Sequence, residues 1–407
     1  MRTLLSRYAL SVSAAAMLAG CGGSQPPIGA PGAVPQASTN ATHAELTTLT
    51  RPTITYGLLY SFKPGSGDGV DPYASLVNVN GILYGTTVGG GAYGGGTVFA
   101  IAPSGTEAVV HSFGASGDGE TPFAGLTEAK GTLYGTTGFG GAHNNGTVFS
   151  ITPSCKETVL HSFNYGSGDG EQPDAALLNV KGTFYGTTQY GGRHADGTVF
   201  SISTSGTETV LHSFGGSVDG VEPYAGLIDV KGTLYGTTYR GGADSNGTVF
   251  KISPSGNESV LHSFGAPPDG ANPYAGLLDV DGRLYGTTQQ GGGANGEGTV
   301  FSITTSGTET ALHSFGPYFS GDGEQPYGNL VNVKGTLYGT TYGGGANNVG
   351  TVFKIKLLGK ETVLHSFGAS GDGKEPYAGL IKVKGMLYGT TENGGANGDG
   401  TVYSLTP

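Results

Sequence analysis

The sequence predicts an all-β fold, a seven-bladed β-propeller of four-stranded blades, and three observations carry that expectation. First, the motif "YGTT" recurs at Tyr84, Tyr134, Tyr185, Tyr235, Tyr285, Tyr338 and Tyr388, at spacings of 50, 51, 50, 50, 53 and 50 residues. A period of about 40–50 residues with four strands per unit is the signature of a propeller blade. Second, the 407 residues include 79 Gly, 22 Tyr and no Trp, and only 12% are charged. Such a composition favours short strands joined by glycine turns over helices. Third, the segment "ITYGLLYSF" (54–62) looks like the last strand of a repeat yet comes first, while the last repeat stops at Pro407 after three strands. The stray strand completes the unfinished unit if the N-terminal strand closes the ring.

The elements follow in chain order. Residues 1–20 read as a signal peptide: Arg2 and Arg7 are followed by an apolar stretch from Tyr8 to Met17, too short to span a bilayer, and then by small residues. Leu18-Ala19-Gly20-Cys21 resembles the bacterial lipobox, which implies that Cys21 is lipidated and becomes the new N-terminus. Residues 21–53 are rich in Pro, Gly, Ser and Thr without apolar period, so they read as a disordered tether. Its root-mean-square reach is roughly 30 Å. The repeats fill 54–407.

One repeat serves for all. "PYAGLIDV" (223–230) is a first strand, "KG" (231–232) a tight turn and "TLYGTT" (233–238) a second strand. The loop "YRGGADSN" leads to a third strand, "GTVFKIS" (247–253). "PSGN" then turns the chain into a fourth, "ESVLHSF" (258–264). A lone four-stranded sheet leaves two faces bare, so the units must stack, and a closed ring leaves no end to cap. Cys155, in "TPSCKET", stands where sister repeats place a turn glycine, and reads as a drifted turn residue.

The succession "LYGTT…GTVF…HSF" over residues 54–407 resembles the bacterial tandem repeats called GloVer. That resemblance implies a secreted or surface protein whose anchor differs from member to member. Here the anchor would be the lipid on Cys21. The expected location is therefore the bacterial cell envelope, at the outer membrane or cell surface.

A formal net charge of −11 argues against nucleic acid and against an anionic membrane surface as ligand. The expected protein is a monomeric, non-catalytic binding or display platform for a glycan or an envelope protein, attached to the membrane through Cys21. The alternatives are a propeller glycosidase or polysaccharide lyase, and a purely structural surface component. No GxSxG, HExxH, Walker or dinucleotide motif occurs.

Both long loops of each repeat are expected on one face of the disk, which makes that face the candidate functional one. Its inter-blade loop carries an Asp-Gly in every repeat, at Asp68, Asp118, Asp169, Asp219, Asp269, Asp322 and Asp372. These are turn formers, or else a ring of carboxylates for sugar hydroxyls or Ca²⁺, the one cofactor considered. The repeated His111, His161, His212, His262, His313 and His365 read as packed structural residues. Their expected partner is the repeat Asp or a Thr of "YGTT". Glu107, Glu157, Glu208, Glu258, Glu309 and Glu361 read as solvated partners of the turn lysines. Catalysis needs unlike groups, so the candidate catalytic cluster is where the repeat breaks: Asp174, which replaces Tyr or Phe, with Asp169, Arg193 and His194.

Overall fold

A computed structural model describes residues 54–407 apart from 66, 217, 294, 295, 318, 319 and 358. The signal peptide, Cys21 and the tether to residue 53 lie outside the described residues. The chain forms seven four-stranded antiparallel sheets, joined in pairs by long loops. No helix of the described residues is long and apolar enough to cross a membrane.

The fourth sheet shows how the repeat folds. Its strands are Ile228–Val230, Thr233–Thr238, Thr248–Ile252 and Glu258–Ser263, paired in that order. Lys231 and Gly232 between the first two both have positive φ, 54° and 86°, the signature of a type I′ hairpin turn. The second, third and fourth strands lie where the sequence places them. The first is shorter than expected, because residues 223–227 have no strand beside them to pair with. They line the axis instead, where a side chain of the preceding blade takes up a backbone acceptor: Thr187 Oγ1 donates to the Ala225 carbonyl at 2.9 Å.

Every outer strand carries a bulge. In the fourth blade Val249 pairs with His262 while Phe250 pairs with Val260, so Leu261 is the extra residue. It packs against the cluster shared with the next blade, formed by Tyr235, Val249, Phe264, Leu277, Leu284 and Phe301. The core is thus seven wedges, each drawn from two neighbouring sheets. Gly236 of "YGTT" is required here: a Cβ would lie 2.6 Å from the ring of Phe250. Cys155 has φ +59°, in the region its sister Gly256 occupies at +88°, which agrees with a turn position.

The seventh sheet combines Ile381–Val383, Met386–Thr391 and Thr401–Leu405 with Tyr56–Ser61. Tyr56 pairs with Leu405 and Ser61 with Thr401. A wedge containing Phe62, Leu76, Phe99, Tyr388 and Val402 joins this blade to the first, and Thr390 Oγ1 donates to the Ala74 carbonyl at 3.2 Å.

Candidate functional site

The two long loops of each blade junction do share a face. Two-residue ribbons tie them together, as where Gly220–Val221 pairs with Arg240–Gly241, and seven such ribbons ring the disk. They fix the positions of two different sets of side chains, one at the perimeter and one at the axis.

At the perimeter, each repeated histidine points its Nε2 at the Asp of its own inter-blade loop, at 2.9–3.2 Å in six blades. A carboxylate only accepts, so Nε2 carries the proton. The other oxygen, Oδ1, accepts the N–H of the following glycine at 2.7–2.9 Å. The histidines are therefore bonded structural residues, with Asp rather than Thr as partner. The Asp residues do not form an open ring of carboxylates. Each is folded into its own turn, six of them against their own histidine and Asp68 against Tyr60.

The repeated glutamates depart from expectation. They are half-buried beside the His–Asp pair of the preceding blade instead of solvated next to the lysines: Glu157 beside His111 and Asp118, Glu258 beside His212 and Asp219. Burial, then the charge of the neighbouring Asp, pushes the carboxyls of Glu157, Glu208, Glu258, Glu309 and Glu361 up to about 7. Against the same burial, hydrogen bonds from the histidines hold Asp269, Asp322 and Asp372 below the ordinary carboxylate range. Where the N-terminal strand enters, tyrosines stand in. Tyr60 takes the histidine place and donates to Asp68 at 2.8 Å, and Tyr56 takes the glutamate place, stacked on His365 at 3.9 Å. Among the described residues five junctions gather His, Asp and Glu donor atoms within 4.8 Å, a set with one nitrogen and two oxygens. That suits a zinc-like ion better than calcium, which asks for six to eight oxygens.

At the axis, the residue after the loop proline points inward from each blade: Tyr73, Phe123, Asp174, Tyr224, Tyr274, Tyr327 and Tyr377. These surround a cavity of about 230 Å³. The tyrosines lean on one another, with ring centroids 3.9 Å apart for Tyr73–Tyr377, 4.4 Å for Tyr327–Tyr377 and 4.7 Å for Tyr224–Tyr274. Burial raises the pKa of all five, keeping their hydroxyls protonated. Above them, the residue after "YGTT" supplies a second tier. Gln189 donates to the Tyr224 hydroxyl and Gln289 to that of Tyr327, while Tyr239 donates to Gln289 at 2.9 Å. Arg240 completes a mouth of about 280 Å³ on the long-loop face, paired with Glu222 at 3.3 Å and lying 5.5 Å over the ring of Tyr239.

The four residues expected to form a catalytic cluster do not meet. Asp174 lines the axial cavity, Asp169 is bonded to His161 and Gly170, and Arg193 binds Ser213 of the outer strand through its backbone N–H. The side chain of His194 lies over Gly215. Sequence reasoning misses the aromatic axial ring, although the "PY" that opens five repeats and the "PF" of a sixth are its signal.

The model of the Gloeobacter/Verrucomicrobia repeat matches residues 34–179, 156–318 and 246–407. Among curated proteins none matches this chain significantly. Several solved structures share its fold. A streptogramin B lyase aligns at 14% identity and a TM-score of 0.57, over 87% of this chain and 97% of that one. PorZ, a bacterial surface component of the type-IX secretion system of Porphyromonas gingivalis, aligns at 14% identity and 0.52, over 85% of this chain and 47% of that one. A quinohemoprotein alcohol dehydrogenase from Comamonas testosteroni gives 12% and 0.52, over 87% and 76%. At such low identity the likeness is one of fold alone.

Proposed function

This chain belongs to the Gloeobacter/Verrucomicrobia repeat family, and from that premise we propose that it is an envelope lipoprotein whose propeller is a non-catalytic binding platform. Its ligand is a glycan or a polar group of an envelope protein, taken at the axial mouth of the long-loop face. The observation that carries this reading is the composition of that mouth: the faces of Tyr239 and Tyr274, the amide of Gln289 and the single ion pair of Arg240 and Glu222. Flat aromatic surface with a few fixed polar groups is what a sugar ring or a planar polar group needs. The cavity below supports binding over glycosidase chemistry, because among the described residues Asp174 is the only carboxyl in its lining and glycoside hydrolysis ordinarily uses two.

The rest of the proposal concerns attachment. Lipid on Cys21 anchors the protein, the tether holds the disk off the membrane, and the N-terminal strand locks the ring. No catalytic cofactor is part of this reading, and Ca²⁺ enters only as a test condition.

A glycan array probed with the full chain, with calcium and with a chelator, tests the platform. Saturable binding that Tyr239→Ala and Arg240→Ala weaken supports it, and equal binding by both variants would move the ligand elsewhere. Cys21→Ser should release the protein from the membrane fraction. Deleting 54–62 should lower the melting temperature sharply and deleting 22–53 should not; equal values for the two would remove the closure argument.

A further inference from the structure

The axial ring has one defect. Six of its seven positions are aromatic and the seventh is Asp174. The blade before it is altered in the same place: the residue after "YGTT" is Gly138, where other blades have Val88, Gln189, Tyr239, Gln289, Tyr342 and Glu392. A Cβ at Gly138 would come within 2.8 Å of Asp174 Oδ1 and 3.0 Å of the Phe123 ring. With no side chain at 138, the Asp174 carboxyl and the Phe123 ring take that place in the wall of the cavity.

Among the described residues nothing satisfies the Oδ1 of that carboxyl. Where the ring keeps its tyrosine, Gln189 and Gln289 reach down to Tyr224 and Tyr327, whereas Gly138 has no side chain to reach Asp174. Asp174 Oδ1 is sealed from solvent with no hydrogen-bond partner. Among the described residues no Lys, Arg or His lines the cavity, and the guanidinium at the mouth, Arg240, is already held by Glu222. A buried carboxyl left without a donor is costly, so its presence at a singular position in a repetitive protein calls for an external partner.

We propose that the axial cavity is a binding site for a primary ammonium group, seated between the Asp174 carboxylate and the aromatic walls of Phe123, Tyr224 and Tyr274. The chemistry matches on three counts. The carboxylate neutralises the charge, as a buried ion requires. The tyrosine and phenylalanine faces attract a cation through their quadrupoles. The three N–H donors of an ammonium fit a site whose unmet group is an acceptor. Burial pushes Asp174 up to about 7, and a bound cation returns it to the ionised form. The volume, about 230 Å³, sits below the ~300–1,000 Å³ of drug-sized pockets. The site therefore takes an amine-bearing terminus and not a whole oligosaccharide. Amino sugars, ethanolamine headgroups and lysine side chains all present this group.

This inference deepens the platform reading and rests on it. Calorimetric titration of the full chain with glucosamine, ethanolamine and Nα-acetyl-lysine distinguishes the three sources, with N-acetylglucosamine, N-acetylethanolamine and Nα,Nε-diacetyl-lysine as uncharged controls. The expected result is saturable binding by at least one amine and at least about tenfold weaker binding by its acetylated form. Asp174→Asn and Asp174→Tyr should each weaken the amine by a similar factor, the second by restoring the ring. Gly138→Ala should weaken it by displacing the Asp174 carboxyl, whose Oδ1 lies where the new Cβ needs room. Equal affinity for an amine and its acetylated form, or unchanged affinity in Asp174→Asn, overturns the proposal. So does silence from all three amines. Neutral glycan binding on the array, weakened by Arg240→Ala but not by Asp174→Asn, would leave the platform standing while this inference falls; silence in both experiments removes both.

Discussion

The perimeter and the axis of this disk are built from the same repeats, yet they have followed opposite courses. At the perimeter the His–Asp–Glu arrangement returns at junction after junction, and the two substitutions there, Tyr56 and Tyr60, come from the strand that enters out of order. At the axis the second tier differs in nearly every blade, and the first tier gives way at Asp174. Uniformity at the perimeter follows from what it does: each trio joins one blade to the next, and every junction has the same shape. Diversity at the axis follows from facing a common space in which seven side chains meet and no two need be alike. Repetition therefore marks the structural groups, and departure from it marks the binding ones.

The largest effect expected of this contrast is on stability at the perimeter. Asp219→Ala removes the acceptor of His212 and of the Gly215 and Gly220 amides. It should cost about 1–3 kcal/mol in chemical denaturation. A loss below about 0.5 kcal/mol would mean that the trios are not links.

The next effect is on pH. The perimeter glutamates have folded pKa values raised from 4.5 to about 7. Their contribution is thus fully present below the unfolded value and is lost as pH rises through the folded one. The melting temperature should fall between pH 5 and pH 8, and Glu258→Gln should flatten that fall. The lowered Asp269, Asp322 and Asp372 act in the opposite sense, their contribution being lost only as pH drops below the ordinary carboxylate range. A melting temperature that rises from pH 5 to pH 8 would assign the wrong sign to the glutamates.

The smallest effect belongs to the axis. Asp174→Asn removes a carboxyl that nothing satisfies, so stability at pH 8 should stay within about 0.5 kcal/mol of the parent or rise. A loss as large as that of Asp219→Ala would make Asp174 a structural group and erase the distinction.

Much of this was legible in advance because it is local. The "KG" turn, the "YGTT" strand and the His–Asp pairing each lie within a span of about ten residues, and period-two patterning with turn residues suffices to read them. What the sequence concealed lies between blades. Glu157 meets Asp118 across 39 positions of chain, and beside its turn lysine it looked like any solvated charge. Asp174 is visible as an oddity, but the sequence points to neighbours in its own blade, at Arg193 and His194. Closure of the ring gives it different ones: Gly138 from the blade before, and tyrosines from blades further round. Conversely, the buried glutamate positions could have been suspected from their persistence at a strand start in six repeats, where drift would have scattered an idle charge.

The trio has one more implication. Since five junctions take His and Asp from one side and Glu from the other, the blades that meet there offer complementary ends that fit one another in any order. Repeats can then be duplicated, lost or exchanged as interchangeable cassettes without redesigning the joint. The group that such shuffling would disturb is the lone carboxyl facing the axis, whose surroundings depend on which cassette precedes it.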